Sequence, residues 1–232
     1  MDVLVEGFVE AWRLLVSGDE GIWAVTALTL QISLAAAALA VLLGVPLGAA
    51  VALHRFWGRR LVLAAANTGF GLPPVVVGLF VTVLLWRSGP LGFLGLLYTP
   101  LAMVVAQAVI ATPVVVALAA TALQQVDPDF RPQMEALGAT RARSFAALLG
   151  EARLPLLAAS MAGFGAVVSE VGAAIMVGGN IEGETRVLTT AAVLATNRGQ
   201  FALAIALGLV LLLLAFGVNL VLTFVQQRES LR

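Results

Sequence analysis

The chain contains no cysteine and no lysine, and these two absences exclude several kinds of chemistry. Without cysteine there are no disulfides, thiolate metal ligands or cysteine nucleophiles. Without lysine there is neither the residue with which a P-loop reaches nucleotide phosphates nor a Schiff-base amine. The one histidine, His54, lies among arginines at a segment end, where an interfacial position is the simpler interpretation. We therefore expect no metal site and no cofactor on this chain.

Charge is also scarce: 11% of the 232 residues are charged and 61% are hydrophobic. A soluble domain carries about 25% charged residues, so a soluble fold of this length would have too little polar surface. The formal net charge is zero, which gives no electrostatic reason to expect nucleic acid as a partner. The composition predicts an all-α integral membrane protein.

Apolar runs long enough to cross a bilayer, which takes about 20 residues, occur five times. Only the fourth contains a charged residue, Glu170. Because a helix satisfies its own backbone, helices are the expected spanning form. The sequence predicts about five transmembrane helices, at residues 22–53, 61–86, 99–126, 154–181 and 201–225.

The first 21 residues have a different pattern. Acidic and basic residues recur at three- or four-residue spacing, and apolar residues fill the other face. This pattern is typical of an amphipathic helix on a membrane surface, and its acidic start does not fit a signal peptide. We expect two parts: a surface helix at residues 1–21 and a transmembrane domain at residues 22–232.

Arginine placement predicts the orientation, because cytoplasmic loops are enriched in basic residues. With five spans, one side carries four arginines: Arg13, Arg87, Arg186 and Arg198. The other side carries nine: Arg55, Arg59, Arg60, Arg131, Arg141, Arg143, Arg153, Arg228 and Arg232. The N-terminus is therefore expected outside and the C-terminus in the cytoplasm.

The longest predicted cytoplasmic segment, residues 127–153, is too polar to span and too patterned for a slack linker. Asp127-Pro128-Asp129 is a typical helix start, and a discontinuous apolar face follows. Short helices of this kind suit docking into a groove of another protein. Two interfacial helices resting on lipid headgroups would give the same periodicity.

The second span is interrupted near its middle by Gly71-Leu72-Pro73-Pro74. Proline removes a backbone donor and clashes with the preceding turn. Broken helices place backbone dipoles near the substrate path in transporters, although a packing kink would look the same. Because Asn67 and Thr68 add polar groups one turn earlier, we predict that Asn67, Thr68, Pro73 and Pro74 line a path.

Glu170, preceded by Ser169, is the one ionisable group inside a span, and such residues almost always face the protein interior or a water cavity. A structural or gating role is favoured, and a proton-coupling carboxylate is the alternative. The span ends in Gly178, Gly179 and Asn180, and hydroxyls follow at Thr189 and Thr190. We predict that these seven residues also lie along the path.

Three stretches resemble the tungstate-type branch of ABC importer permeases. They are residues 67–79 (NTGFGLPPVVVGL), 89–100 (GPLGFLGLLYTP) and 170–181 (EVGAAIMVGGNI), the last followed by TRVLTT. The resemblance covers nearly the whole chain, and molybdate and sulfate permeases are the next most similar. It implies the type I importer permease fold in the cytoplasmic (inner) membrane.

The resemblance also implies partners: a second copy of the chain, two ABC ATPase subunits that carry ATP and magnesium, and an extracytoplasmic substrate-binding protein. The family's cytoplasmic signature is Glu-Ala-Ala, three residues, Gly, nine residues, then Ile-x-Leu-Pro. Gly138 matches the glycine, but Glu-Ala-Leu lies three positions later than Glu-Ala-Ala should, and Leu-Pro four positions later than the end should. The ATPase contact is therefore assigned to a stretch: Met134, Glu135, Ala136, Leu137, Gly138 and Ala139.

Two other classes of function remain open from the residues. An ion-coupled secondary transporter would use Glu170, and a structural scaffold would need no path at all. The polar groups and breaks inside spans two and four argue against the scaffold. The leading hypothesis is an ATP-driven importer of tungstate, with molybdate or sulfate as alternatives.

Overall fold

A computed structural model describes residues 2–16 and 20–230, and side chains within 3–16 and 20–227. Positions 1 and 17–19 of the predicted surface segment, and Arg232, lie outside the described residues. Every regular element in the described part is helical. In chain order they are α1 (Asp2–Val16), α2 (Glu20–Leu53), α3 (Arg59–Thr68), α4 (Pro74–Leu85), α5 (Pro100–Gln124), α6 (Phe130–Ala136), α7 (Arg141–Glu151), α8 (Arg153–Val168), α9 (Gly172–Gly178), α10 (Leu188–Asn197) and α11 (Phe201–Ser230).

Three of these helices, α2, α5 and α11, are individually long and apolar enough to cross a membrane. Two further pairs meet the same test together but are bent: α3 with its 3₁₀ end and α4 by 105°, and α7 and α8 by 68°. Counting each bent pair as one span gives up to five, by length and composition. The second pair does not coincide with the predicted fourth span: it begins at Arg141, inside the predicted cytoplasmic segment, and ends at Val168.

The centre of the bundle is α5, whose alanines and valines pack against the small residues of α2. A Cβ added at Gly44 would lie 2.7 Å from Val115 Cβ, and one at Gly48 would lie 2.8 Å from Val116 O. Side chains larger than hydrogen are excluded there because the helix backbones approach too closely. Pro46 lies between the two glycines without ending α2.

The N-terminal helix α1 packs against the first half of α11. Ala11 and Leu14 are buried with Ala206, and a Cβ added at Gly7 would meet Ile205. Leu15 is half-buried, whereas the remaining apolar side chains of α1, including Phe8 and Trp12, are exposed. One face of α1 is therefore packed on the bundle and another face is exposed. The division into a surface helix and a transmembrane domain stays a prediction.

The predicted fourth span, residues 154–181, is not one continuous helix. α8 ends at Val168 and α9 begins at Gly172, with the break at residues 169–171. A carboxylate is costly to leave unpaired in an apolar segment, and at this break Glu170 caps the start of α9.

Candidate functional site

The first break separates α3 from α4 and is made by prolines. A 3₁₀ turn, Gly69–Gly71, is followed by Leu72 and Pro73, both in the extended conformation. Pro74 then begins α4, where its missing N–H costs nothing. Gly69 packs on α5 so closely that an added Cβ would clash with Pro113 Cβ. Backbone geometry alone therefore fixes this break, which the sequence placed at residues 71–74.

The second break, residues 169–171, is organised by Glu170. The side chain is buried, with 6% exposed, and Oε1 accepts a 2.6 Å hydrogen bond from Ala173 N in the first turn of α9. The Glu170 carbonyl accepts a 3.0 Å hydrogen bond from Thr189 Oγ1. The carboxylate therefore satisfies a helix-start amide, and the backbone carbonyl of the same residue links this break to α10.

The two breaks lie next to each other. A Cβ added at Gly172, the first residue of α9, would be 2.7 Å from Val75 Cγ2 in the first turn of α4. One turn further along α4, a Cβ at Gly78 would be 2.7 Å from Ala173 Cα. The second halves of both broken spans are therefore packed in backbone contact, with their first turns side by side.

Polar groups before each break are exposed. Thr68 Oγ1 donates to Ala64 O and Ser169 Oγ donates to Gly165 O, which leaves their outer lone pairs open. Asn67 is exposed, and its side chain makes no hydrogen bond within the described residues. A Cβ at Gly71 or Gly165 would meet nothing within 4 Å. Exposed amides and hydroxyls are costly against lipid, so this surface suits water or a second protein chain.

The prolines of the predicted path divide between surface and interior. Pro73 is exposed and Pro74 is half-buried. The structure thus places Asn67, Thr68, Pro73 and Ser169 on exposed surface near the breaks, with Glu170 directly behind, in the interior.

The turn after α9 is separate from that surface and tightly built. Gly179 (φ 73°) and Asn180 (φ 52°) are left-handed, as is Tyr98 (φ 66°), whose N–H donates to Val177 O at 2.8 Å. Gly178 packs on Met103, and Gly179 packs on the Tyr98 ring. Asn180 Oδ1 is buried without a hydrogen-bond partner among the described residues.

Thr189 and Thr190, predicted on the path, are buried. Thr189 bonds to the Glu170 carbonyl, and Thr190 Oγ1 accepts from Val187 N at 3.1 Å to start α10. A residue that sequence reasoning missed, Thr29 of α2, accepts a 2.9 Å bond from Leu188 N. Nothing local marks Thr29, because its partner lies 159 residues away.

The predicted ATPase-contact stretch forms a helix end that projects from the bundle. Gly138 is left-handed (φ 81°); its N–H donates to Glu135 O, and Ala139 N donates to Met134 O, both at 3.0 Å. These two bonds are a Schellman motif, which needs a left-handed residue after the helix. Glu135, Ala136 and Leu137 are exposed, while Met134 and Ala139 are half-buried.

A cavity of about 640 Å³ lies elsewhere, between α2, α10 and α11. Apolar residues such as Val25, Leu28 and Leu203 form its walls, and Arg186, held 3.0 Å from Glu182, and Arg198 lie among its lining. It includes none of the predicted path residues. Among the described residues, no group of three or more His, Asp or Glu could hold a metal.

Residues 44–230 match the family of binding-protein-dependent transport system inner membrane components. The chain belongs to this family. It is accordingly a multi-pass transport component of the inner membrane, as the sequence predicted.

Relatives of this family extend over most of the chain. A probable anion ABC transporter permease protein of Haloferax volcanii is 42% identical over 200 residues, 84% of this chain and 86% of the relative. The tungstate uptake system permease protein TupB of Peptoclostridium acidaminophilum is 36% identical over 227 residues, 98% and 100% of the two chains. The resemblance to importer permeases is thereby confirmed.

A solved structure gives the fold independently. The MetNI methionine ABC transporter, in an inward-facing conformation, matches with a TM-score of 0.71 at 20% identity, over 94% of this chain and 96% of that one. At this identity the likeness concerns the fold alone, and it confirms the predicted all-α permease fold.

Proposed function

We propose that this chain is the membrane-spanning permease subunit of an ATP-driven importer whose cargo is an oxyanion, tungstate in the first place. The observation that carries the proposal is similarity over 98% of the chain to a tungstate uptake permease. Molybdate and sulfate, which share the dianionic tetrahedral shape, are the alternative cargoes.

The path runs along the exposed polar surface beside the two breaks. Asn67, Thr68 and Ser169 supply amides and hydroxyls there, and Glu170 stays behind the surface as a helix cap. A second copy of the chain closes this surface across a two-fold axis, which keeps the exposed polar groups away from lipid. Gly178, Gly179, Asn180, Thr189 and Thr190 act from behind by holding the turn and α10 in place.

The path is suited to a dianion because it lacks a fixed cation. None of the five predicted spans contains a basic residue. A deep arginine would bind the dianion too tightly to release it, and conduction needs weak contacts. High-affinity recognition is accordingly assigned to the external binding protein, which delivers the ion.

Coupling to ATP lies in the segment from α6 to α7, which docks on an ABC ATPase subunit. The exposed end of α6, including Leu137 at 82% exposure, offers an apolar knob for a groove in the partner. α7 transmits the motion, because Leu148 packs with Ala49 of α2 and Leu123 of α5. Two ATPase copies carry ATP and magnesium, one for each permease.

In the proposed orientation, the segment from α6 to α7 and the C-terminus lie in the cytoplasm and the N-terminus lies outside. The nine arginines on the side that carries α6 and α7 support that orientation. Cysteines introduced singly at Gly138 and at Gly95, and labelled from outside intact cells, test it. Only the Gly95 variant should be labelled.

The cargo is tested by elemental analysis of cells that lack and regain this gene, supplied with nanomolar tungstate, molybdate or sulfate. Gene-dependent tungsten accumulation that collapses on ATP depletion is the expected result. Accumulation of molybdenum or sulfur alone would change the proposed cargo to molybdate or sulfate and leave the assignment as an ATP-driven importer unchanged. Uptake that survives ATP depletion at a fixed ion gradient would contradict the importer and favour ion coupling through Glu170.

A further inference from the structure

The loop between α2 and α3 exposes two aromatic side chains beside arginines. Trp57 is 97% exposed and Phe56 is 44% exposed, and Arg55 and Arg60 are exposed on either side. Trp is normally exposed in this way only where a partner or an interface receives it. Its position directly after a membrane-spanning helix puts the loop at the level of lipid headgroups.

The loop has a fixed shape because Arg59 is used inside the protein. Arg59 Nε donates to Val51 O at 2.7 Å and an Arg59 terminal nitrogen donates to Ala52 O at 3.3 Å, which caps the end of α2. Gly58, at φ 90°, makes the left-handed turn that allows this. The chain from Arg55 to Leu61 therefore curls around a hollow of about 540 Å³.

The charge around this hollow is positive and unneutralised. Arg55 and Arg60 make no ion pair within the described residues, and none of residues 21–126 is acidic. His54 Nδ1 lies 3.1 Å from Ala50 O, so the ring is turned back onto α2. Two free guanidinium groups around a concave site, with an aromatic pair beside them, match an anionic headgroup and its adjoining hydrocarbon.

We propose that residues 55–61 form a binding site for an anionic phospholipid, with Arg55 and Arg60 on the headgroup phosphate and Trp57 inserted at the glycerol level. Leu61, 71% exposed, continues the apolar contact toward the acyl chains. The proposal uses the orientation given above only to assign the cytoplasmic leaflet. The site itself is independent of the cargo and of the ATPase.

Native mass spectrometry of the purified full-length chain tests the headgroup contact, with phosphatidylglycerol and phosphatidylcholine as probes. The double variant Arg55→Gln, Arg60→Gln should bind phosphatidylglycerol about 30-fold more weakly, since each arginine contributes about a fivefold factor. Phosphatidylcholine binding should be unchanged, which also shows that the variant is folded. The matched control, Arg87→Gln with Arg198→Gln, removes two arginines from the opposite side and should change binding less than twofold.

Equally weakened phosphatidylglycerol binding in the control variant would show that net charge alone explains the effect, and would overturn the proposed site. Competition by millimolar inorganic phosphate would overturn the lipid as ligand and indicate a free anion instead. Neither result bears on the elemental analysis of uptake, so the two proposals can fail separately.

Fluorescence quenching tests the position of Trp57. In a chain with Trp12, Trp23 and Trp86 changed to Phe, brominated phosphatidylglycerol should quench Trp57 more than brominated phosphatidylcholine at equal mole fraction. Equal quenching by the two lipids, or loss of quenching when the ATPase is bound, would overturn the proposal in favour of general burial or a protein contact.

Discussion

The two broken spans interrupt their helices by opposite means. The first break is caused by the proline rings: Pro73 and Pro74 lack backbone N–H donors, and no side-chain cap is needed. The second depends on one hydrogen-bonded carboxylate, Glu170, inside an otherwise apolar segment. A proline break tolerates changes around it, whereas a break held by a single buried side chain depends on that side chain. The contrast locates the sensitive point of the bundle at residues 169–173, although the prolines mark the sequence more clearly.

The largest expected difference is between Glu170→Ala and Pro73→Ala. Removing the carboxylate leaves Ala173 N buried without an acceptor, which costs about 1–3 kcal/mol. Pro73→Ala preserves a compatible backbone and should cost about 1 kcal/mol or less. The midpoint of thermal unfolding in detergent and the rate of uptake in cells should both fall clearly for Glu170→Ala and little for Pro73→Ala. Similar losses in the two variants would remove the contrast.

Glu170→Gln sharpens the same comparison, because glutamine keeps an oxygen that can accept from Ala173 N. If Glu170 is a cap, this variant should retain most of the uptake that Glu170→Ala loses. If Glu170 carries a coupling proton, both variants should abolish uptake equally.

The next effect concerns packing behind the breaks. In Gly78→Ala the new Cβ would meet Ala173 Cα, a backbone atom that cannot move alone, and overpacking costs about 1–3 kcal/mol. In Gly71→Ala the Cβ meets nothing within 4 Å, so stability should be unchanged or slightly higher. The midpoints of thermal unfolding compare the two directly, and a less stable Gly71→Ala would show that the first break is not open.

A third kind of turn, the glycine turn between α6 and α7, extends the comparison. Gly138→Leu forces a side chain into a left-handed conformation, at about 1 kcal/mol, and changes the helix end proposed to dock. ATP hydrolysis by the assembled complex should continue while uptake falls. Gly150→Leu, in α7 with open space around it, is the control and should stay coupled. Normal coupling in Gly138→Leu would move the contact elsewhere.

The smallest effect tests the link from the second break to α10. Thr189→Val removes the hydroxyl bonded to the Glu170 carbonyl and should cost about 1 kcal/mol. Thr196→Val removes an exposed hydroxyl that bonds only to Ala192 O in its own helix, and should be neutral. Equal midpoints of unfolding for the two variants would show that the link contributes nothing.

Sequence reasoning succeeded where the cause is local. Five apolar runs and the proline break were predictable because chain composition and proline geometry act within a few residues. The break at residues 169–171 was not, because the same carboxylate fits a continuous helix facing a cavity. The burial of Thr189 and Thr190 depends on contacts with Glu170 and the turn before α10, and the packing of α1 on α11 joins opposite ends of the chain.

The length of α2 bears on the membranes in which this protein can work. Its 34 residues extend about 51 Å, whereas the hydrocarbon layer is about 30 Å thick. Its sequence carries no charged residue from Ile22 to Leu53, so lengthening the hydrocarbon contact by a turn exposes no charge to lipid. A helix of this kind can accommodate a thicker or thinner bilayer by changing how much of it is covered, at a small cost in mismatch energy. Uptake measured after reconstitution in lipids of increasing acyl length should therefore vary little until the hydrocarbon layer is thick enough to reach Glu20.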